Sequence, residues 1–326
     1  MANLSNFFRL RDPAPPGSAV CRPAHREEIE SALRLILADD SGLAGDEAVL
    51  DFLAFSLQRQ IDVNQIWVAV AGNTIVWALL PIASPGRTML LFTPNRLPRA
   101  TPLEGARELT DRLCDHWRGQ GIHLAQLLID PADSRLLDLY VSCGFEVLAE
   151  LTYLQKRVRG TVPIELPAGL EVDHYDTITH PAFARAVLRS YESSLDCPRL
   201  NGRRHIEDVI CGHKATGLFD PRHWYLLSEQ GQERGVLILS PSQNQETVEL
   251  VYLGLCPEAR GRGLGNLLMG MALNAVAGLG RQDLSLAVDA RNTPALRLYY
   301  RYGLKQIGSR LALLRDVRSA PVPATV

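Results

Sequence analysis

The stretch from Val248 to Leu279 limits the choice of fold more than any other part of the chain. It opens on an apolar, β-favouring run, Val248 to Leu255, that reads as a strand. Cys256-Pro257-Glu258-Ala259 follows, then Arg260-Gly261-Arg262-Gly263-Leu264-Gly265, then an apolar segment from Asn266 to Leu279 that reads as a helix. Glycine has no Cβ to forbid positive φ, so successive backbone N–H groups in such a turn can point at one place. The first N–H groups of the helix lack intrahelical partners, and the helix dipole adds partial positive charge there. Such a loop is a cradle for an anion, and a pyrophosphate suits it. Arg260 and Arg262 are expected to add charge-assisted donors. The plainer alternative is a tight, solvated strand–helix turn. The glycine spacing is not that of a dinucleotide fold, and Asn266 stands where a P-loop needs its Lys-Ser/Thr pair.

A second strand is expected from Leu284 to Asp289, ahead of Asn292-x-x-Ala295-x-x-Leu298-Tyr299-x-x-x-Gly303-Leu304. Taken together, Arg260-x-x-Gly263-x-Gly265 and this segment resemble the two hallmark motifs of the GNAT acetyltransferase superfamily. Leu304 stands where phenylalanine is usual, a departure that conserves packing. The resemblance implies acetyl-CoA as donor, with its pyrophosphate on Arg260, Gly261, Arg262, Gly263, Leu264, Gly265 and Asn266. It also implies that a bulge splays the preceding strand, freeing main-chain groups for the pantetheine arm. On that likeness the Leu253 N–H polarises the thioester carbonyl and Leu255 pairs with the arm. Gly254 suits the bulge. Asn292 is expected to bond the arm and Arg301 to meet the 3′-phosphate. Tyr299 is the expected acid, near the sulfur, with Tyr300 its rival should the helix register differ.

The second motif has an echo. Leu139-Tyr140-x-x-x-Gly144-Phe145 repeats the pattern around Tyr299 at domain distance, and the order of elements ahead of each copy agrees. The expected organisation is a lead-in over 1–18, a degenerate GNAT-like domain over 19–160, a linker over 161–168, an acetyl-CoA-binding GNAT domain over 169–315 and a flexible tail over 316–326. The fold class is α+β (α/β/α): two tandem GNAT-like domains, each a mixed, mostly antiparallel central sheet flanked by helices. The tandem arrangement is similar to that of the mycothiol synthase family, and no acceptor is carried over from that likeness. In the first repeat the loop Asn95 to Thr101 has no glycine, and Pro94, Pro98 and Pro102 lie in or beside it. Proline removes N–H donors, so this loop cannot form the same cradle.

Composition narrows the function classes. A net charge of −2 gives no reason to expect nucleic acid or an anionic membrane as partner. No apolar run is long enough for a spanning helix, and the N-terminus lacks a signal-peptide layout. The six cysteines form no Cys-x-x-Cys pair, so free thiols in a cytoplasmic protein and no metal site are expected.

Acetyl transfer to a small-molecule primary amine needs a neutral amine, a donor for the carbonyl oxygen and a proton for the leaving thiolate. Glu249 is the expected base: it lies four residues before Leu253, and alternation puts it on the same strand face as Val251 and Leu253. Its alternative is a surface glutamate. Tyr191 and Asp196 are the expected acceptor contacts, although Asp196 also reads as a helix-capping turn residue. The rival functions are a non-catalytic acyl-CoA sensor and a transferase for another acyl group.

Overall fold

The computed structural model describes residues 19–39, 42–97, 101, 103–243 and 246–318. The expected lead-in, the chain beyond 318, and Pro98 and Pro102 lie outside the described residues. The first repeat runs β1 (Val20–Pro23), α1 (Ile29–Ile36), α2 (Asp46–Gln58), β2 (Trp67–Ala71), β3 (Thr74–Ser84), β4 (Thr88–Phe92), α3 (Leu103–Gly119), β5 (Leu124–Ile129), α4 (Ser134–Ser142) and β6 (Glu146–Arg157). The second follows the same plan: β7 (Leu170–His174), α5 (His180–Ser190), α6 (Ile206–Lys214), β8 (Trp224–Glu229), β9 (Gln232–Pro241), β10 (Thr247–Leu255), α7 (Leu264–Gly278), β11 (Asp283–Asp289), α8 (Thr293–Arg301) and β12 (Lys305–Asp316).

Local chemistry explains why the repeated motif has its shape. Asp133 and Asn292 cap α4 and α8, their side chains accepting from Leu136 N (2.9 Å) and Ala295 N (3.4 Å). Gly144 and Gly303 follow those helices with φ of 78° and 77°, the left-handed stop that glycine takes at least cost. The spacing from tyrosine to glycine is therefore the length of a helix end.

Among the described residues twelve strands form one sheet, in the order β1-β2-β3-β4-β5-β12-β6-β11-β10-β9-β8-β7. Pairing is antiparallel except between β4 and β5 and between β10 and β11. The centre holds an exchange. β12, the last strand of the second repeat, lies between β5 and β6, while β6 separates β12 from β11. Sequence reading had no strand at β6. Leu148, Ala149, Thr152 and Leu154 are all buried, so this central strand packs on both faces and shows no clean alternation.

Helices cover both faces. On one, α3 and α4 pack over Trp77, Leu79 and Leu91, and α7 and α8 over Leu237, Leu286 and Val288. On the other, α1 and α2 cover Val68, Ala78 and Leu80, while α5 and α6 cover Leu226, Val236 and Ile238. Cys197 and Leu200, after α5, reach across the middle to Leu128 and Leu151 on that second face. Among the described residues no helix is long and apolar enough to cross a membrane.

Candidate active site

β10 and β11 pair only from Thr247↔Asp283 to Glu249↔Ser285, and then part. The cause is a bulge. Leu250 faces Leu239 on β9 and Tyr252 faces Ile238, so Val251 is the extra residue. The bulge is at Val251 and not at Gly254, which stays in register opposite Val236. Gly254 instead makes room for its neighbours, since a Cβ there would lie 2.6 Å from Ser190 Oγ and from the Tyr252 ring.

The extra residue also corrects the face expected for Glu249. Val248 and Leu250 point into the core under α7, and so do Leu253 and Leu255, because the bulge resets the alternation. Glu249 therefore shares its face with Val251 and Tyr252, toward α5 and α6, and Leu253 lies opposite.

Past the bulge, β10 turns main-chain groups into the gap. Cys256 N donates to Arg234 O (2.9 Å), which makes Cys256–Arg234 a hydrogen-bonded pair. Alternation then gives Gly254 and Tyr252 to β9 and directs the N–H groups of Leu253 and Leu255 toward the departed β11.

A cavity of about 610 Å³ fills the wedge, lined by Leu253, Leu255, Gly261, Gly265, Asn292 and Tyr299, among others. At its mouth Gly261 and Gly263 have φ of 72° and 82°, and Gly263 stands at the start of α7 without any side-chain cap. Of the N–H groups from Gly261 to Asn266, only that of Asn266 is matched among the described residues, by the Gly263 carbonyl (2.9 Å). A Cβ on Gly265 would press on Leu298 Cδ2 at 3.2 Å. Unmatched amides beside a wall too close for side chains fit a pyrophosphate.

The two loop arginines are turned elsewhere. Arg260 Nη2 donates to Ser190 O (2.9 Å) and its Nε to Leu255 O (3.1 Å), which ties the end of α5 to the end of β10. Arg262 forms a two-point pair with Glu229 (2.7 and 2.9 Å). The cradle is thus made of main chain. Arg260 still lines the cavity, and the other cations along it are Arg297 and Arg301, one turn apart on α8, with Arg301 Nη1 3.4 Å from Asn266 Oδ1. Sequence reading missed Arg297, although its i, i+4 spacing to Arg301 was available.

Tyr299 is buried and lines the cavity, while Tyr300 is 47% exposed, which favours the first of the pair. Burial pushes the Tyr299 phenol well above its ordinary value, so it holds its proton at neutral pH. Asp196 enters the same cavity from the α5–α6 loop, its Oδ1 accepting from Asp289 N (3.0 Å). Burial raises its carboxyl. Tyr191 packs edge-on to Tyr252 (5.9 Å) and does not line the cavity. Glu249 lies outside the cavity too. Water reaches its side chain, yet protein crowds it enough that burial is the first cause of its raised pKa, opposed by the charge of Arg59.

A larger cavity, about 830 Å³, opens at the matching place in the first repeat, lined by Asn95, Arg96, Leu97, Asp130 and Asp133, among others. The sequence from Asn95 to Thr101, which matches the glycine turn of the second repeat, contains no glycine, and the hydroxyl of Tyr140, the counterpart of Tyr299, is bonded to Thr93 Oγ1. The smaller cavity is the one that joins a glycine turn to a buried tyrosine. Among the described residues no cluster could hold a metal ion, and Cys197 and Cys256 have thiols raised first of all by burial, which suits passive side chains.

Residues 189–304, which span this cavity, match the Acetyltransferase (GNAT) family. The second repeat therefore carries a segment that matches the GNAT acetyltransferases. That match and the relatives below support an acyltransferase, and acetyl-CoA is the donor that GNAT acetyltransferases use. Among its relatives, a mycothiol acetyltransferase of Clavibacter sepedonicus is 26% identical over 302 residues, covering 89% of this chain and 94% of the relative. Another, from Kocuria rhizophila, is 28% identical over 188 residues, covering 54% of this chain and 59% of the relative. A GCN5-related N-acetyltransferase from Sphaerobacter thermophilus superposes with a TM-score of 0.59 at 17% identity, covering 94% of this chain and 98% of that one. That last likeness shows the fold.

Proposed function

We propose that the chain transfers an acetyl group from acetyl-CoA to a primary amine of a small molecule by direct attack, at the wedge in its second repeat. In this reading residues 169–315 hold the donor, while residues 19–160 complete the sheet and form part of the acceptor side. The carrying observation is the union in one cavity of free strand amides, a glycine cradle and a buried phenol. Acetyl-CoA, when bound, supplies the activated thioester. The Leu253 N–H stabilises charge gathering on the carbonyl oxygen. The unmatched amides of Gly261 to Gly265 hold the pyrophosphate, and Arg297 and Arg301 flank the coenzyme. Tyr299 gives its proton to the departing sulfur.

The amine proton leaves toward Glu249. Four strand residues at roughly 3.3 Å each separate Glu249 from Leu253, so the transfer passes through water. The relatives' name, mycothiol acetyltransferase, supports acetyl transfer to a metabolite amine. Release of CoA from acetyl-CoA, measured against a panel of primary amines, tests the reading; saturable acetyl-CoA binding with no amine-dependent release would instead favour an acyl-CoA sensor.

Two expectations follow for the proton carriers. Tyr299→Phe should lower kcat by about 100-fold, the common worth of a positioned acid, with acetyl-CoA affinity within about twofold of the parent. Unchanged kcat would remove Tyr299 from the chemistry. Glu249→Gln should lower turnover by about 100-fold at neutral pH and abolish the acidic limb of the rate profile. The sign is set by the raised carboxyl: as pH falls through that pKa the base takes up a proton and kcat/KM drops. The same shift opposes folding once Glu249 ionises. Its stability contribution is present below the unfolded pKa and is lost as pH rises through the folded one. The glutamine variant should therefore melt higher than the parent at neutral pH, and equally at low pH.

A further inference from the structure

The cavity between β10 and β11 runs through the sheet. Leu253 and Leu255 line it from the side of α7, and Val251 and Tyr252 from the side of α5 and α6. Cations and an acid enter it from different elements. Arg297 and Arg301 stand on α8, and Arg260 is committed to the carbonyls of Ser190 and Leu255. The α5–α6 loop brings Asp196, the only carboxylate among the described residues that line the cavity. The neighbouring guanidinium belongs to another acid: Arg291 bonds Asp289 through Nε (3.0 Å) and Nη2 (2.8 Å), and no ion pair among the described residues engages Asp196.

The loop that carries Asp196 is anchored on two sides. Asp196 Oδ1 accepts from Asp289 N (3.0 Å), and Cys197 N donates back to Asp289 Oδ2 (3.2 Å). Asp289 is fully buried at the end of β11, past the point where that strand leaves β10. Cys197 takes φ of 43°, a left-handed turn that a residue other than glycine keeps only where its surroundings fix it. The remaining anchors belong to the first repeat. Arg199 Nη1 donates to Val147 O (2.8 Å), Arg203 pairs with Glu146, and Arg291 Nη2 donates to Leu148 O (3.2 Å), all on the opening residues of β6. Cys197 and Leu200 pack against the cluster that holds Leu148 and Ala149. A carboxylate fixed by one oxygen, on a loop fastened to two strands, is presented to the cavity in a set position.

We propose that Asp196 holds the amine of the acceptor, accepting from its N–H while the nitrogen faces the thioester carbonyl beside Leu253. This rests on the acetyltransferase reading above and names the group that places the nucleophile. A carboxylate draws the amine in as its ammonium. Once a proton has left toward Glu249, Asp196 still accepts one N–H, and the lone pair is free to point at the carbonyl carbon. An alcohol gains less from this contact than an ammonium does, so Asp196 sets the site's preference for nitrogen. The first repeat takes part through β6, which fastens the loop, and not through a side chain that touches substrate.

The donor site can carry the test amine to this carboxylate. CoA alkylated on sulfur with a 2-aminoethyl or a 3-aminopropyl group sets an ammonium just past the thioester position, and S-propyl-CoA and S-butyl-CoA are the neutral partners of equal length. Calorimetry on the full chain at about pH 8, where an alkylamine keeps its proton, compares them. At one length or the other the parent should bind the amino conjugate about tenfold more tightly than its partner, the least that a charge-assisted contact contributes. Asp196→Asn keeps an oxygen for Asp289 N and removes only the charge. It should reduce the preference to within about twofold and leave the alkyl conjugates bound as before. Asp196→Ser should do the same, and serves where a thermal melt shows that asparagine disturbs the loop. Equal binding within both pairs by the parent overturns the proposal, as does a preference that survives in the variants. Failure of the parent to bind any of the four conjugates strikes the acetyl-CoA reading, and the proposal with it.

Discussion

Gly263→Val should weaken acetyl-CoA binding by roughly 100-fold, equivalent to about 2.7 kcal/mol, while leaving the fold intact. The argument begins at one dihedral angle. Gly263 has φ of 82° at the residue that starts α7. A β-branched residue is strongly disfavoured there, and holding it in place costs about 1–3 kcal/mol of local strain. The chain relieves that strain by rotating the peptide, which turns the neighbouring N–H groups away from the point they share. Nothing within 4 Å blocks a Cβ at Gly263, so the damage is to backbone direction and not to packing. A Gly278→Ala variant serves as control, because that glycine has an ordinary φ and open space around it. Calorimetry with acetyl-CoA and a thermal melt on each protein provide the check. A valine variant that melts like the parent and binds as tightly removes the cradle from the coenzyme site.

The same positions show how far a sequence can be read. The glycine turn before α7, the helix that carries Tyr299 and the repeat around Tyr140 were legible because each depends on a local requirement: positive φ, a helix length, a helix stop. The tandem α+β organisation followed from those repeats. What stayed hidden depends on contacts between distant residues. Val251 is an ordinary strand residue, and nothing in its type says that it faces no partner on β9. That one extra residue moved Glu249 to the face opposite Leu253. Arg260 had the charge for a phosphate, but carbonyls at Ser190 and Leu255 already hold its guanidinium. The neighbours of β12 come from the other repeat, a relation that no local pattern carries.

Removing β12 by ending the chain at Leu304 should therefore unfold the first repeat as well as the second. The strand pairs Leu311–Asp316 with β5 and Lys305–Leu314 with β6, so its loss opens two ladders at once. Leu313 and Leu314 are fully buried, on opposite faces of the sheet, in the cores of the first repeat and of the midline. Burying each such side chain is worth about 1.5–3 kcal/mol, and the buried Arg315, paired to Asp111 at 2.6 Å, leaves with them. Together with the lost strand pairing this exceeds what a domain of ordinary stability, about 5–15 kcal/mol, can lose. Residues 1–168 expressed alone should aggregate or lack a cooperative melt, with β5 and β6 left unpaired where β12 belongs. Residues 169–326 alone should fare no better, since β6 is absent between β11 and β12. Co-expression of the two pieces should restore a soluble complex, because each then receives the strand it lacks. Leu313→Ala in the full chain should show the graded form of the effect, a loss of about 2–5 kcal/mol in denaturant melts. A monomeric 1–168 fragment with a sharp melt and dispersed amide resonances would mean that the exchange is an accessory to two independent folds; an unstructured fragment rescued only by its partner would mean that the duplicated halves fold as one body.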